Sequence, residues 1–484
     1  MVFVLPLAVT PLAALGADVI KIEAASRPDQ VRWGPPPDNQ PRRDAYNHGA
    51  NFQMLNRDKR GVTIDLTLPQ GRDLLLKLVA VSDVVAENFT PRVLENLGLT
   101  YERLREVNER IILLSSTGFG QTGPWRHYRA YGPNTEAVDG LMELTGYPDG
   151  PPVRGGAGGL GVAFTDVAGA YFGSFAILAA LEYRQRTGEG QWLDLSHYEA
   201  GVATIPQAVL DYTMNGRARS RTGNRHEWRA PQGVYPCAGA GDSSSAASIS
   251  RVQPAGDPGA SQTTNDRWIA ISVAGQRAFA ALCRVLGLRD ASDDPRFATL
   301  LARRRNHDAL DLLIGSATRE READELVAAL QAAGVEATPV AAPRDVWLDP
   351  QLRHRGFFEM VPSAASAPEV GTRPHLRRGW KMSASRVATR ARAPEFGQHN
   401  ANVFGELLGL TSSEVDGLRA AGVIAAEPRE GLLARPSSLD LTAMLSNGRL
   451  REIDPGYRER LDAWLAGTTQ AGAPNAENGN QGTA

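Results

Sequence analysis

A chain of 484 residues is long enough for more than one domain and a substantial core. Charged residues make up 22% and the formal net charge is −2, which leaves neither a basic surface for nucleic acid nor an acidic tail. Two cysteines without CxxC spacing and eight scattered histidines offer no metal-ligand cluster and suit a reducing, cytoplasmic compartment.

The opening MVFVLPLAVTPLAALGADVI lacks the basic n-region of a secretory signal and reads as part of the fold. No later segment reads as long or apolar enough to span a membrane. Leu12 to Leu15 should end a helix closed by Gly16, and Ala17 to Glu23 is a buried parallel strand of β-branched residues. Ser26 to Gly49 is polar and rich in Pro and Arg, which predicts a long surface loop. A strand at Val62 to Leu66 and a helix at Gly71 to Ser82 follow. Asp83 to Phe89 is a strand, Pro91 to Asn108 two short helices, and Ile111 to Gly120 another strand. This alternation predicts a parallel, doubly wound α/β sheet. Ligands bind such sheets beyond the carboxyl ends of the strands, where Asn88 and Phe89 would lie.

From Pro151 to Gln191 the chain couples a glycine segment to an apolar helix. Gly155, Gly156, Gly158, Gly159 and Gly161 let the backbone bend sharply and approach a ligand closely. Asp166, preceded by Thr165, falls at the N-cap or first turn of the helix. That helix, about Val167 to Arg186, is apolar on nearly all faces until Glu182 and is predicted to be buried. Asp166 is then a carboxylate at the mouth of a core helix, where a simple cap is the plainer explanation. Two glycine patterns, Gly118-x-Gly120-x-x-Gly123 and Gly156-x-Gly158-x-x-Gly161, lack either the following helix or the preceding strand of a dinucleotide fingerprint, so a nicotinamide or flavin cofactor is rejected.

Glu199 to Met214 reads as another helix, and Arg219 to Gly239 as a crossing linker. The low-complexity run from Gly239 to Asn265 stands where a short hairpin turn between GVYPC and RWIAISV is expected. A helix at Gln276 to Leu288, then a helix and strand within Leu326 to Val340, complete a second unit. The resulting division is 1–215 large domain, 216–266 linker with insert, 267–345 small domain, 346–425 linker and return, and 426–484 extension. That extension holds one helix, Pro455 to Gly467, and a Gly/Asn/Gln tail expected to be disordered.

Asp166, Gly169, Ala179, Ala180, Leu181, Arg184, Thr187, Gly188, Gly190 and Gln191, running into WLDLS, closely resemble the nucleophile region of the class III CoA-transferases. LGADVIKIE, NRDKRGVTIDL, DVVAENFTP, LGLTYERL and GFGQTGPW match further blocks, as do Asp294 to Phe297 with Arg305 and Asn306, then RAPEFGQHN and VFGELLGLTSSEVDGLRAAGVI. The resemblance implies a doubly wound parallel large domain, a smaller α+β domain and a ring-like chain forming an interlocked homodimer. Members begin with a further strand, so either the sheet lacks its first member or the true start lies upstream. The resemblance also implies that Asp166 attacks an acyl-CoA donor and passes CoA to a carboxylic acid acceptor through an aspartyl anhydride and an aspartyl-CoA thioester. Backbone N–H groups of the glycine segment are candidate oxyanion donors. Ile64, Asp65, Leu66, Thr67, Asn88 and Phe89 are the implied CoA contacts. Ala24 and Asn96 stand where relatives can supply arginine to the nucleotide, with Arg92 as the candidate replacement. No metal, separate cofactor, nucleic acid or membrane partner is implied. Two alternatives stay open. One is a 2-methylacyl-CoA racemase, disfavoured because Tyr131 aligns with the racemase histidine and His127 is out of register. The other is a truncated, non-catalytic CoA-binding or interaction subunit.

Overall fold

The computed structural model describes residues 3–40, 42, 44–153, 163–238, 267–385, 387–432, 438–447, 449–450 and 452–470. The glycine segment 155–161, the insert 239–265 and the tail 471–484 lie outside the described residues.

Helix α1 (Val4–Leu15) is closed by Gly16 at φ 117°, a conformation natural to glycine, and leads into β1 (Val19–Glu23). Helix α2 (Ala50–Asn56) precedes β2 (Lys59–Thr63), which pairs with β1 in parallel, Val19 opposite Lys59. Helix α3 (Pro69–Ala80) crosses to β3 (Val84–Glu87). The short helices α4 (Arg92–Leu97) and α5 (Tyr101–Val107) then lead to β4 (Ile112–Thr117). β5 (Trp192–Ser196) completes a second parallel sheet in the order β3-β4-β5. Parallel pairing is as the alternation predicts, but the strands form two half-sheets rather than one. Between them lies an apolar cavity of about 430 Å³ lined by Val19 to Ile22 of β1, Val84 to Ala86 of β3, and side chains of α1 and α3.

Three expectations change. The strand expected at Val62 to Leu66 ends at Thr63, because Asp65 turns the chain. Its carboxylate accepts the Thr67 amide at 3.1 Å, while its own N–H goes to the Val423 carbonyl at 2.8 Å. The segment from Ser26 to Gly49 is not a surface loop throughout: Asp29, Arg32, Asn47 and His48 are buried. Polar composition misleads there because the charges are paired inside. Lys21 meets Asp29 at 2.5 Å, and Glu23 takes Arg32 through Nη2 at 2.7 Å and Nε at 2.9 Å. The third change is a break in the helix expected from Glu199 to Met214. It divides into α9 (His197–Val202) and α10 (Pro206–Asn215), since Pro206 cannot donate within a helix interior.

Between β4 and β5 run α6 (Gly132–Val138), α7 (Leu141–Leu144) and the long α8 (Phe164–Thr187). One stripe of α8, with Gly169, Ala170, Gly173, Ser174 and Ile177, packs on α1 and the sheet; Ser174 Oγ donates to the Ala8 carbonyl at 2.5 Å. The opposite face carries Tyr171, Phe172, Phe175 and Leu178, which are exposed in the single chain. The expected all-round burial is therefore half met, because apolar composition alone cannot say which faces are covered. This helix is also long and apolar enough to cross a membrane by length and composition, contrary to the reading above; its small-residue stripe against α1 accounts for that character within a folded core.

The smaller unit is built on an antiparallel sheet of β6 (Gln232–Pro236), β7 (Trp268–Ser272) and β8 (Glu336–Pro339), with Gln232 opposite Ser272 as the expected hairpin requires. Its core includes Tyr235, Ile271, Phe279, Phe297 and Leu326. The chain then forms an antiparallel pair, β9 (Phe358–Val361) and β10 (Arg373–Leu376), and ends in the helix Tyr457–Gln470.

Candidate active site

Asp166 is the third residue of α8, so it occupies the first turn rather than the cap, which is Ala163. It is 9% exposed. The helix N-terminus is held by α6: Glu136, fully buried, accepts the Phe164 N–H, and the Thr135 and Thr165 hydroxyls meet at 2.7 Å. Gly132 makes this seat possible. A Cβ there would stand 2.2 Å from Ala163 Cβ and 2.7 Å from Asp166 Oδ2, so any side chain would push α6 away from the carboxylate. The partial positive charge of the α8 N-terminus favours negative charge on a carboxylate in its first turn.

One turn further on, Gly169 lets α8 approach His197: a Cβ at that glycine would lie 3.4 Å from the His197 ring. His197 follows β5, and its Nε2 lies 2.7 Å from Ser116 Oγ on β4. Burial lowers its pKa to about 4, so it is a neutral ring that ties the start of α8 to the sheet. Sequence reading passed over both Gly132 and His197. The signal for His197 was its place directly after a strand, and Gly132 gave none, because its demand arises only when α6 meets α8. Tyr131, aligned with the racemase histidine, precedes α6 and is 65% exposed.

The carboxyl ends of β3, β4 and β5 carry a second polar group. Glu87 closes β3; burial raises its pKa to about 7, Asp194 adds to that, and hydrogen bonds from Ser115 and the Phe89 amide work against it. The Phe89 N–H donates to Glu87 Oε2 at 2.7 Å, which fixes the Asn88–Phe89 turn. Asn88 Oδ1 and Thr117 Oγ1 are buried there without a hydrogen-bond partner among the described residues. Buried polar atoms are usually satisfied, and each of these two can take a further hydrogen bond. Asp194 on β5 accepts the Gln121 N–H at 3.0 Å and so holds the loop after β4.

The candidates from Ile64 to Thr67 lie beyond β2. Ile64 and Leu66 pack their side chains into the core, and only Thr67 is exposed. Asp65 is 5% exposed; burial pushes its carboxyl up, but hydrogen bonds from Thr67 and Ser26 outweigh this and bring it below the usual range. A ligand at this turn would meet backbone and Thr67 rather than the two aliphatic side chains. Asp166, Asn88 and Phe89 share the β3-β4-β5 half of the molecule, whereas Ile64 to Thr67 belong to the β1-β2 half.

Residues 1–250 and 251–400 match the model of CoA-transferase family III. The chain is 32% identical to the succinyl-CoA–D-citramalate CoA-transferase of Chloroflexus aurantiacus over 85% of its own length and 92% of that protein. It is likewise 32% identical to the succinate–glutarate CoA-transferase of Agrobacterium fabrum, covering 82% of this chain and 90% of the other. Among solved structures, a CAIB/BAIF family protein from Brucella suis superimposes with a TM-score of 0.70 at 32% identity, covering 84% of this chain and 97% of that one. The chain belongs to CoA-transferase family III.

Proposed function

We propose that this enzyme moves CoA from an acyl-CoA donor to a carboxylic acid acceptor by covalent catalysis at Asp166. The observation that carries the reading is the seat of Asp166 in the first turn of α8, nearly buried and confined by Gly132. A carboxylate is a weak nucleophile in water, yet desolvated and aligned it can attack a thioester, because CoA thiolate is a good leaving group. An Asp166 oxygen adds to the thioester carbonyl, the C–S bond breaks, and an acyl-aspartyl anhydride and free thiolate result. The thiolate attacks the Asp166 carbonyl and expels the donor acid, leaving an aspartyl-CoA thioester. The acceptor carboxylate then attacks that carbonyl, and the released thiolate takes the acceptor acyl group and restores Asp166. No proton is gained or lost, and no cofactor beyond the CoA thioester is needed.

Asn88 Oδ1, without a hydrogen-bond partner among the described residues, and the anchored Phe89 amide support the Asn88–Phe89 turn as a CoA contact, and the exposure of Thr67 supports it, with the backbone of Ile64, Asp65 and Leu66, as a second. A neutral, Ser116-bonded His197 is a poor acid/base partner for Asp166, which favours transfer over racemisation. The uncovered apolar face of α8 supports a homodimer, interlocked if it follows the resemblance. Cys237 and Cys283, both buried free thiols, fit a reducing compartment such as the cytoplasm.

The test is CoA transfer from succinyl-CoA, the donor named for several relatives, to a panel of mono- and dicarboxylic acids, followed by chromatography of the CoA esters. A new CoA ester formed by wild type and not by Asp166→Ala supports the reading. Exchange of an α-proton of a 2-methylacyl-CoA with deuterated water, without transfer, would replace it.

A further inference from the structure

A second cavity, of about 520 Å³, lies between the Pro35–Asp38 loop, α2 and the β9–β10 segment. Its volume is that of a small-ligand site, and its walls are mostly apolar, with Met54, Val361, Val370 and Leu376 among them. Three arginines line it, and each holds a buried N–H without a partner among the described residues: Arg57 Nε, Arg373 Nε and Arg392 Nη1. Arg373 and Arg392 are ion-paired through other nitrogens, with Asp38 and Glu395. Arg57 differs. It is 3% exposed, its Nη1 donates to the Leu376 carbonyl at 2.6 Å, and no ion pair involves it among the described residues. Two carboxylates act on it through space, against the neighbouring Arg378: Asp58, whose Oδ1 accepts the Arg390 and Ala391 amides and whose Oδ2 is buried without a hydrogen-bond partner among the described residues, and Glu359, which accepts the Thr389 amide and lies 3.8 Å from Arg377 Nε. Three buried guanidinium N–H groups without acceptors at the wall of one mostly apolar cavity call for a ligand that carries an acceptor on an apolar body, and a carboxylate is the acceptor that guanidinium groups hold most strongly.

The C-terminal helix Tyr457–Gln470 forms part of the rim. Tyr457 lines the cavity, and its hydroxyl donates to Asp38, which also accepts Arg373 at 2.8 Å and Arg458 at 3.2 Å. Asp38 and Asn39 are both left-handed, at φ 58° and 56°, and Asn39 exchanges hydrogen bonds with Leu439. Further along, Trp464 packs on Trp347 with ring centroids 4.9 Å apart. The helix lies beyond residue 400, outside the residues that match the family model.

We propose that the cavity binds a small organic carboxylate with an aliphatic body through Arg57, and that the C-terminal helix Tyr457–Gln470 closes over it. The proposal does not depend on Asp166.

The probe is sodium hexanoate, titrated calorimetrically into wild type, Asp166→Ala, Arg57→Gln, Met54→Trp and Tyr457→Phe, each checked for fold by circular dichroism. Wild type and Asp166→Ala should bind it equally. Arg57→Gln, which removes the charge, should weaken binding by about tenfold or more. Met54→Trp, which fills the cavity, should abolish binding and keeps the test decisive if Arg57→Gln fails to fold. Tyr457→Phe should weaken it severalfold by loosening the rim. Binding lost in Asp166→Ala but intact in Arg57→Gln or Met54→Trp would place hexanoate in the catalytic site and overturn the proposal. Absence of binding to wild type at about 10 mM would overturn it as well.

Discussion

The two parallel half-sheets are built on opposite principles. The β1-β2 half pairs two of its buried cations with carboxylates, Lys21 with Asp29 and Arg32 with Glu23, while Lys59 donates to the Pro6 and Leu55 carbonyls at 2.8 and 2.6 Å and burial lowers it well below the usual lysine range. Arg32 also lies 3.7 Å over the Phe52 ring. Burial alone would raise the Glu23 carboxyl, but Arg32 and Lys21 hold it down at about 2. The β3-β4-β5 half does the reverse. Glu87 rises to about 7 and His197 falls to about 4, because neither has a charged partner to offset its burial. One half uses the Lys21–Asp29 and Glu23–Arg32 pairs as an internal fastening, and the other buries Glu87 and His197 without charged partners beside the candidate site. Perturbed groups of the second kind cluster at functional sites.

This contrast can be broken at four points. Asp166→Ala should lower CoA transfer by about 10⁴-fold or more while leaving the unfolding midpoint within ordinary surface-variant range, measured by ester formation and urea titration. Arg32→Met should cost about 3–5 kcal/mol of stability in the same titration, since it strands Glu23, and Glu23→Gln in that background should recover part of the loss. An equal loss of activity at unchanged stability would contradict the structural role of the Glu23–Arg32 pair.

Glu87 gives a pH test. Its folded-state pKa lies above the unfolded value of 4.5, so its stabilising contribution is complete below that value and lost as pH rises through about 7. Glu87→Gln should flatten this slope and make the protein more stable than wild type above pH 7, by up to about 3 kcal/mol. Denaturant midpoints across pH 4–9 would show it. A variant that tracks wild type at every pH would sink the assignment.

The smallest effect is expected at Gly132. Gly132→Ala should lower kcat by about 100-fold with little change in KM, because it displaces Asp166 without touching CoA. A KM effect instead would move Gly132 to the CoA site.

The sequence made much of the molecule legible, and the exceptions share a cause. Glycine closure at Gly16, the β-branched run of β1 and the spacing around Asp166 are local signals, and the elements they predict stand where expected. The buried loop around Arg32 was not readable, since polar residues look alike whether solvated or paired inside. The exposed face of α8 escaped because its composition is apolar on both sides. The division between β1 and β3 was equally hidden, because strand signals do not state which edges meet. Among the candidate residues, the place of Asp166 in the first turn of α8 was legible from motif and position, and that of Asn88 and Phe89 from the end of β3. Gly132 and His197 act only through tertiary contact with α8, which no window of sequence contains.

The most direct test of the account is the intact mass of the protein after incubation with succinyl-CoA and trapping with hydroxylamine, with the modified residue located by peptide sequencing. Covalent catalysis at Asp166 predicts a hydroxamate on Asp166 in wild type and none in Asp166→Ala. A hydroxamate on another residue, or active enzyme that never carries one, would contradict it.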